Sequence, residues 1–452
     1  MLTDADLTHL ANIAGSANIR TKEAMALLDP GADPANLGAS ALVAPASTEQ
    51  IVEILRYCHQ HSLSIVPQGG RTGLAQGAVS GPGQIIVSTA RMNRILNLDA
   101  EEAVATVEAG VTLEALANAA AKHGFEPGID LAARGTATIG GMISTNAGGV
   151  EAFRHGVMRR RVLGLEAVLA DGTILSDLSR VEKCNEGYDV KQLFIGSEGT
   201  LGIVTKAILK LEAAPKSRAT ALAAFDSAAK ALRLFQHLKP LGLLAMEAMW
   251  RRYAEAAAGE MGQRYLLAFA ASPLYVIVEL AEGDLLEAEL AEAYEQGLVA
   301  GAILAKSDEE RRHIWRLRED SWAIDRLCPG GLWYDVSVPL KELDAYVAAL
   351  EKCVAAITPQ AHAYIIGHLG DGNLHITVAG PQPLASLRPQ ITEAVYAGLK
   401  DMGGSISAEH GIGLEKRESL VRYTDPGKLA LMRMLKRTLD PKNILNPGKI
   451  VA

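Results

Sequence analysis

The residues best suited to chemistry fall in two short glycine-rich stretches. Residues 367–375 read Gly-His-Leu-Gly-Asp-Gly-Asn-Leu-His, so His368 and His375 flank a turn between two short apolar strands. Such a turn can bring two imidazoles together. Glu409-His410-Gly411 follows later and adds a carboxylate and another imidazole. Two histidines and one carboxylate make a three-ligand metal set that leaves positions open for substrate. A histidine beside that set completes a metal-assisted proton-transfer site. Taken singly, each histidine also reads as an ordinary turn or surface residue. Asp371 is the rival ligand; within Asp-Gly-Asn it reads as a turn former. Arg316 and Arg318 share a charged helical stretch with Trp315 and Trp322. An arginine there can grip a carboxylate bidentately, or simply pair with Glu319 or Asp320. By type alone, Trp322 and Trp333 read as core residues.

Glycine supplies a second kind of site. Three glycine-rich loops stand at residues 69–73, 135–149 and 196–202. Glycine lets a backbone approach a phosphate, and successive N–H groups can form an anion nest. Three such loops in one acidic chain point to a dinucleotide-like cofactor. The usual nucleotide fingerprints are absent. No GxGxxG follows the first strand and no GxxxxGK[ST] occurs. Gly81-Pro82-Gly83 and Gly411-Ile412-Gly413 both lack the third glycine.

Alternating helices and strands must position these groups. Ser47-Thr48-Glu49-Gln50 has the capping-box pattern and opens a helix carrying Ile51, Ile54, Leu55 and Cys58. A strand over 64–67 runs into the first glycine loop, and strands over 84–88 and 104–108 follow. Thr112 caps a helix with Leu113, Leu116 and Ala120, which Gly124 ends. Residues 128–149 are too poor in large apolar side chains to form a core element. Residues 163–170 and 173–175 predict a hairpin, with Asp171-Gly172 as a type I′ turn. A strand over 203–211 follows the third loop. Ala213-Ala214-Pro215-Lys216-Ser217 marks a domain boundary. Beyond it come helices over 226–238, 282–295 and 308–322, with strands over 275–280 and 334–338. Leu343, Val347, Leu350 and Val354 mark a further helix. Strands over 364–367 and 374–378 flank the histidine turn. Asp425-Pro426 opens a last helix and Asp440-Pro441 stops it. This alternation favours an α+β fold with a helix-covered sheet.

Composition narrows the class. A chain of 452 residues accommodates two or three domains. Apolar residues at 49% and charged residues at 21% exclude a disordered or collagen-like chain. A net charge of −8 argues against a nucleic-acid binder. Arg159-Arg160-Arg161 reads as a solvated turn. Cys58, Cys184, Cys328 and Cys353 contain no CxxC, so neither a disulfide framework nor a cysteine zinc site follows. A reducing compartment fits. The first residues lack the basic start and apolar core of a signal peptide, and no apolar run nears bilayer-spanning length. The expectation is a soluble, cytoplasmic protein.

Six motifs then make a family visible: PQGGRTGLAQG, ARGTATIGGMISTNAGG, GYDVKQLFIGSEGTLGIVT, GHLGDGNLH, SAEHGIG and DPKNILNPGK. In this order, from about residue 38 onward, they resemble the FAD-dependent D-2-hydroxyacid dehydrogenases of the vanillyl-alcohol oxidase type. That group includes D-lactate dehydrogenases, flavin subunits of glycolate oxidase and D-2-hydroxyglutarate dehydrogenases. The resemblance implies a two-subdomain α+β FAD domain over residues 1–214. A substrate and metal domain over 215–410 would follow, an antiparallel sheet with helices on one side. Residues 411–452 would return to the FAD domain.

The resemblance also assigns residues. Pro67, Gly69, Gly70, Arg71, Thr72 and Gly73 would cradle the FAD pyrophosphate. Gly135, Thr136, Thr138, Ile139, Gly140, Gly141, Asn146 and Gly149 would line the cofactor channel. Glu198, Gly199 and Ile203 would hold the adenosine side, and Asn446 would approach the flavin. No histidine lies between Pro67 and Gly83, which implies non-covalent FAD. His368, His375 and Glu409 become ligands of a divalent metal, zinc before manganese or iron. His410 becomes the general base and Arg318 the anchor for the substrate carboxylate.

Three positions depart from the D-2-hydroxyglutarate pattern. Trp333 stands where a lysine is usual, Trp322 where threonine is, and Thr377 where asparagine is. Losing a cation opposite a second carboxylate weakens its binding. The implied substrate is a less charged D-2-hydroxyacid, D-lactate or a longer apolar homologue, with D-2-hydroxyglutarate as the alternative. A metal hydrolase without flavin is the more remote alternative. Electrons would leave to an electron-transfer flavoprotein, a quinone or a cytochrome. A homodimer is a family-level expectation.

Overall fold

The computed structural model of the chain describes residues 2–269, 271–320 and 322–451. Contacts divide it into two compact units, Met1–Ala214 with Glu409–Ala452, and Pro215–Ala408. The return to the first unit therefore begins at Glu409, two residues before the expected boundary. Among the described residues, no helix is long and apolar enough to cross a membrane.

The first unit holds two sheets. In the smaller, Ile19–Thr21, Ala41–Val43, Ile85–Ser88 and Ile65–Gln68 lie side by side in that order, the last three parallel. Helix Thr48–His61 covers it. Ser47 caps this helix by accepting from the Gln50 N–H. Gln50 does not complete the expected box. Its Oε1 takes the N–H of Ala46 at 2.7 Å and its Nε2 donates to Ile13 O at 3.0 Å. Ile51, Ile54, Leu55 and Cys58 are buried against Val43, Ile65, Ile85 and Val87. The tail adds to this sheet, since Leu445 bridges in parallel to Ile65.

The larger sheet is antiparallel, in the order Ile95–Asp99, Val104–Glu108, Ile203–Lys210, Val162–Val168, Ile174–Asp177. Two expectations fail here. Of the turn residues, Gly172 has positive φ and Asp171 does not, so the hairpin turn is not type I′, which requires both. And residues 128–149 do contribute a core element. Helix Ile139–Thr145 buries Ile139, Met142 and Ile143. Its glycines hide it in the sequence; Gly140 is needed because a Cβ there would stand 2.7 Å from Ala109 Cβ.

The second unit is built on seven antiparallel strands. Their order is Gly301–Leu304, Ala219–Phe225, Leu274–Leu280, Leu243–Trp250, His362–His368, Asn373–Ala379, Leu332–Ser337. One face carries Leu222, Met249, Ile277, Tyr364 and Ile366, packed with Tyr253, Ile314, Leu317 and Ile324 from the helices. The alternate residues Ala221, Ala223, Val276 and Val278 are equally buried. Both faces are therefore covered, not one. Helix Asp308–Glu319 ends before Trp322, which precedes the separate turn of helix Ala323–Leu327.

Candidate active site

The first unit contains a cleft made largely of backbone. It is lined by Pro67, Gln68, residues 69–73, Thr138, Gly140, Gly141, Glu198, Gly199, Ile203 and His410, among others. It is a half-open cleft whose empty space, open solvent included, is about 970 Å³. The glycines let two loops interlock. A Cβ on Gly69 would lie 2.1 Å from Thr138 Oγ1, and one on Gly70 would lie 1.8 Å from Thr136 O. Arg71 is held at φ +56. Among the described residues, the N–H groups of residues 69–73 donate to no protein acceptor. Consecutive unpaired N–H groups suit the phosphates of a dinucleotide.

Glu198 and Asn446 fasten the cleft from behind. The Glu198 carboxylate accepts from Ile412 N at 2.7 Å and Gly413 N at 2.8 Å. Both oxygens are engaged, so this side chain organises loops at the cleft. Burial pushes its carboxyl up to about 7, against the pull of those two N–H groups and of Lys416 and Lys449. Asn446 Nδ2 donates to Gly77 O at 3.0 Å and Glu198 O at 2.7 Å. Its Oδ1 is buried without a hydrogen-bond partner. Gly135, Thr136, Ile139, Asn146 and Gly149 do not line the cleft. Ile139 is core, and the Asn146 side chain takes the Arg159 N–H at 2.9 Å. Sequence reasoning missed Gln68 and Thr89, which do line it.

The second unit gathers side chains on one sheet face. In register, Glu247 lies beside His368, Ile366 beside His375, His375 beside Asp335, and Thr377 beside Trp333. Registered neighbours point to the same side, as do alternate residues along a strand. His368 Nδ1 is 2.7 Å from Glu247 Oε1. His375 Nδ1 is 3.7 Å from Asp335 Oδ1. The two Nε2 atoms face one another at 3.5 Å. Two imidazoles on one tetrahedral zinc, at about 2.0–2.1 Å each, hold their nitrogens at about 3.3 Å. Glu247, hydrogen-bonded behind His368, has the arrangement that orients metal-bound histidine, whereas Asp335 stands behind His375 at ion-pair distance only. The residues present therefore fit a divalent ion.

Arg318 reaches the same carboxylate. Its Nε is 2.9 Å from Glu247 Oε2. Burial alone would raise the Glu247 carboxyl; its contacts with His368 and Arg318 outweigh it and hold it below the ordinary carboxylate value. Glu247 escaped sequence reasoning. Its signal was a lone carboxylate in the apolar run LLAMEAMW. Trp322 and Trp333 meet with ring centroids 5.8 Å apart. They are 64% and 37% exposed, so neither is the core residue its type suggested. The chain passes between units after Ala408, whose N–H donates to Asp335 Oδ2 at 3.0 Å. The next residue, Glu409, belongs to the first unit and accepts from Gly149 N at 3.0 Å.

Comparison with known proteins supports the cofactor cleft. Residues 39–177 match the model "FAD binding domain", and residues 214–450 match "FAD linked oxidases, C-terminal domain". The chain is 39% identical over 422 residues to the mitochondrial D-2-hydroxyglutarate dehydrogenase of Bos taurus, spanning 91% of this chain and 76% of that one. It is 37% identical over 424 residues to D-2-hydroxyglutarate dehydrogenase of Xanthomonas citri pv. viticola, spanning 91% and 89%. The solved structure of p-cresol methylhydroxylase with substrate bound shares the fold, with a TM-score of 0.76 at 16% identity over 100% and 98% of the two chains. These matches define an FAD-dependent oxidoreductase. The chain belongs to the FAD-linked oxidase family.

Proposed function

We propose that this chain oxidises a D-2-hydroxyacid to the 2-oxoacid, using non-covalent FAD and a divalent metal. One observation carries the reading: the converging Nε2 atoms of His368 and His375, each ring backed by a buried carboxylate. The names of the relatives support the substrate class. FAD, when bound, supplies the two-electron, hydride-accepting chemistry. A divalent ion on His368, His375 and Glu409 would lower the pKa of the substrate hydroxyl. Zinc suits this donor set, and manganese or iron are the alternatives. Residues 69–73 bind the cofactor phosphates through backbone N–H groups. Arg318 takes the substrate carboxylate. His410 accepts the hydroxyl proton as general base. Proton and hydride leave separately, and the carbinol carbon becomes a carbonyl.

The paired rings of Trp322 and Trp333 favour an apolar or short substrate, D-lactate or a longer homologue. Arg326, a candidate for a second carboxylate, is already paired with Asp320. D-2-hydroxyglutarate is the second reading, favoured by the relatives' names. Electrons then pass to an electron-transfer flavoprotein, a quinone or a cytochrome.

The test is anaerobic flavin bleaching by D-lactate, longer apolar D-2-hydroxyacids and D-2-hydroxyglutarate, before and after chelation. Bleaching by the apolar acids, lost on chelation and restored by zinc or manganese, is the expected result. Bleaching only by D-2-hydroxyglutarate overturns the substrate choice. Bleaching that survives complete chelation overturns the metal.

A further inference from the structure

Glu247 sits at the middle of the seven-stranded sheet, on the fourth strand, 1% exposed. A carboxylate there costs several kcal/mol unless it is well paired. Glu247 has a hydrogen bond at one oxygen and an ion pair, without hydrogen-bond geometry, at the other. Oε1 faces His368 Nδ1 at 2.7 Å, and Oε2 faces Arg318 Nε at 2.9 Å. Each contact constrains what its partner can do. A carboxylate on Nδ1 selects the tautomer with hydrogen on Nδ1, which puts the ring's lone pair on Nε2. The ion pair at Nε, made without hydrogen-bond geometry, holds the Arg318 guanidinium beside the sheet by charge. Among the described residues, no other carboxylate lies within 4.0 Å of Arg318.

The neighbouring strand provides a control inside the molecule. Glu279 is equally buried, at 1%. Its partners are Thr220, Arg311 and Trp315, at 2.6, 2.9 and 2.7 Å, with Arg218 at 3.6 Å from the other oxygen. None of these belongs to the histidine pair. Glu279 is a buried charge satisfied for the fold, whereas Glu247 joins the two groups that would meet the two ends of a 2-hydroxyacid.

We infer that Glu247 is a positioning residue that sets the His368 tautomer by a hydrogen bond and holds Arg318 beside it by charge, so that metal affinity and 2-oxoacid affinity depend on one carboxylate. The inference rests on the proposed function for its metal half; its arginine half is measured without metal.

The experiment uses the FAD-loaded full chain carrying Glu247→Gln, which keeps the shape and removes the charge. Zinc and manganese affinities are titrated on chelated protein. Binding of a 2-oxoacid is read from the flavin spectrum with chelator present. The expected result is about 10- to 100-fold weaker metal binding, the range for loss of a carboxylate behind a ligating histidine, together with weaker 2-oxoacid binding. Glu279→Gln should lower the melting temperature and leave both affinities unchanged. A folded Glu247→Gln protein with both affinities intact overturns the inference. If His375→Ala binds metal as the wild type does, the metal reading itself fails, and the 2-oxoacid measurement alone decides the role of Glu247. Should Glu247→Gln not fold, nitrogen NMR on the metal-free wild type decides, with His368 assigned by its loss in His368→Gln. An Nδ1-protonated His368 supports the inference, and an Nε2-protonated one overturns it.

Discussion

The cofactor cleft and the histidine face are built from opposite materials. The cleft is glycine, threonine and backbone N–H, with few charges. The histidine face is charged side chains, two of them buried carboxylates, on the rigid strands of a sheet. A backbone site is specified by what must be absent, namely Cβ atoms. A side-chain site is specified by what must be present and what stands behind it. The two should therefore fail in different ways.

The largest effects should come from breaking either site, and Gly70→Ala breaks the cleft. Its Cβ would stand 1.8 Å from the carbonyl oxygen of Thr136, a backbone atom that cannot swing aside. Forcing backbone apart costs about 1–3 kcal/mol or more, so flavin should bind about 10- to 100-fold more weakly. The measurement is flavin absorbance per chain after purification. Gly81→Ala is the control, since its Cβ would meet nothing nearer than 3.9 Å. His375→Ala is the converse: full flavin content, lost metal, and turnover down by about 10³-fold if the ion contributes about 4 kcal/mol. Loss of flavin in His375→Ala would break the contrast between the two sites.

That contrast also explains what could be read from the sequence. The glycine loops were legible because their constraint is local and steric. His368 and His375 were legible because one tight turn joins their strands. Glu247 was not, because its partners come from a strand and a helix far along the chain. Helix Ile139–Thr145 was hidden by Gly140 and Gly141, whose low helix propensity is overridden by close packing on Ala109. The end of the arginine helix was misplaced for a related reason. Asp320 leaves helical geometry at ψ 69, and no proline or glycine announces it.

Glu198 sharpens the comparison from the cleft side, with an intermediate effect. Its carboxyl rises from its ordinary 4.5 to about 7 in the folded chain, chiefly by burial. The folded state then holds its proton more tightly than the unfolded state. Its contribution to stability is full below about pH 4.5 and is lost as pH rises through about 7, about 3 kcal/mol in all. Lys449, lowered to about 8 mainly by burial, acts only above that window. Glu198→Gln should lose one accepted hydrogen bond and be less stable at pH 5. Its melting temperature should nevertheless fall less between pH 5 and pH 7 than the wild type's. An unchanged slope would mean that Glu198 is ionised in the fold throughout this range.

The smallest effect belongs to the rim of the sheet site. Trp333 is 37% exposed and registers opposite Thr377. Trp333→Lys places a cation where it could meet a second substrate carboxylate. At such exposure an ion pair is worth about 0.2–1 kcal/mol, so kcat/KM for D-2-hydroxyglutarate over D-lactate should rise by about two- to fivefold. The gain should fade at high salt, because a partly exposed pair is screened. A much larger gain would mean that substrate binding closes water out of this rim, making Trp333 a wall of the pocket. A fall in the ratio would mean that D-2-hydroxyglutarate already uses the tryptophan pair, and the apolar-substrate reading would then lose its physical basis.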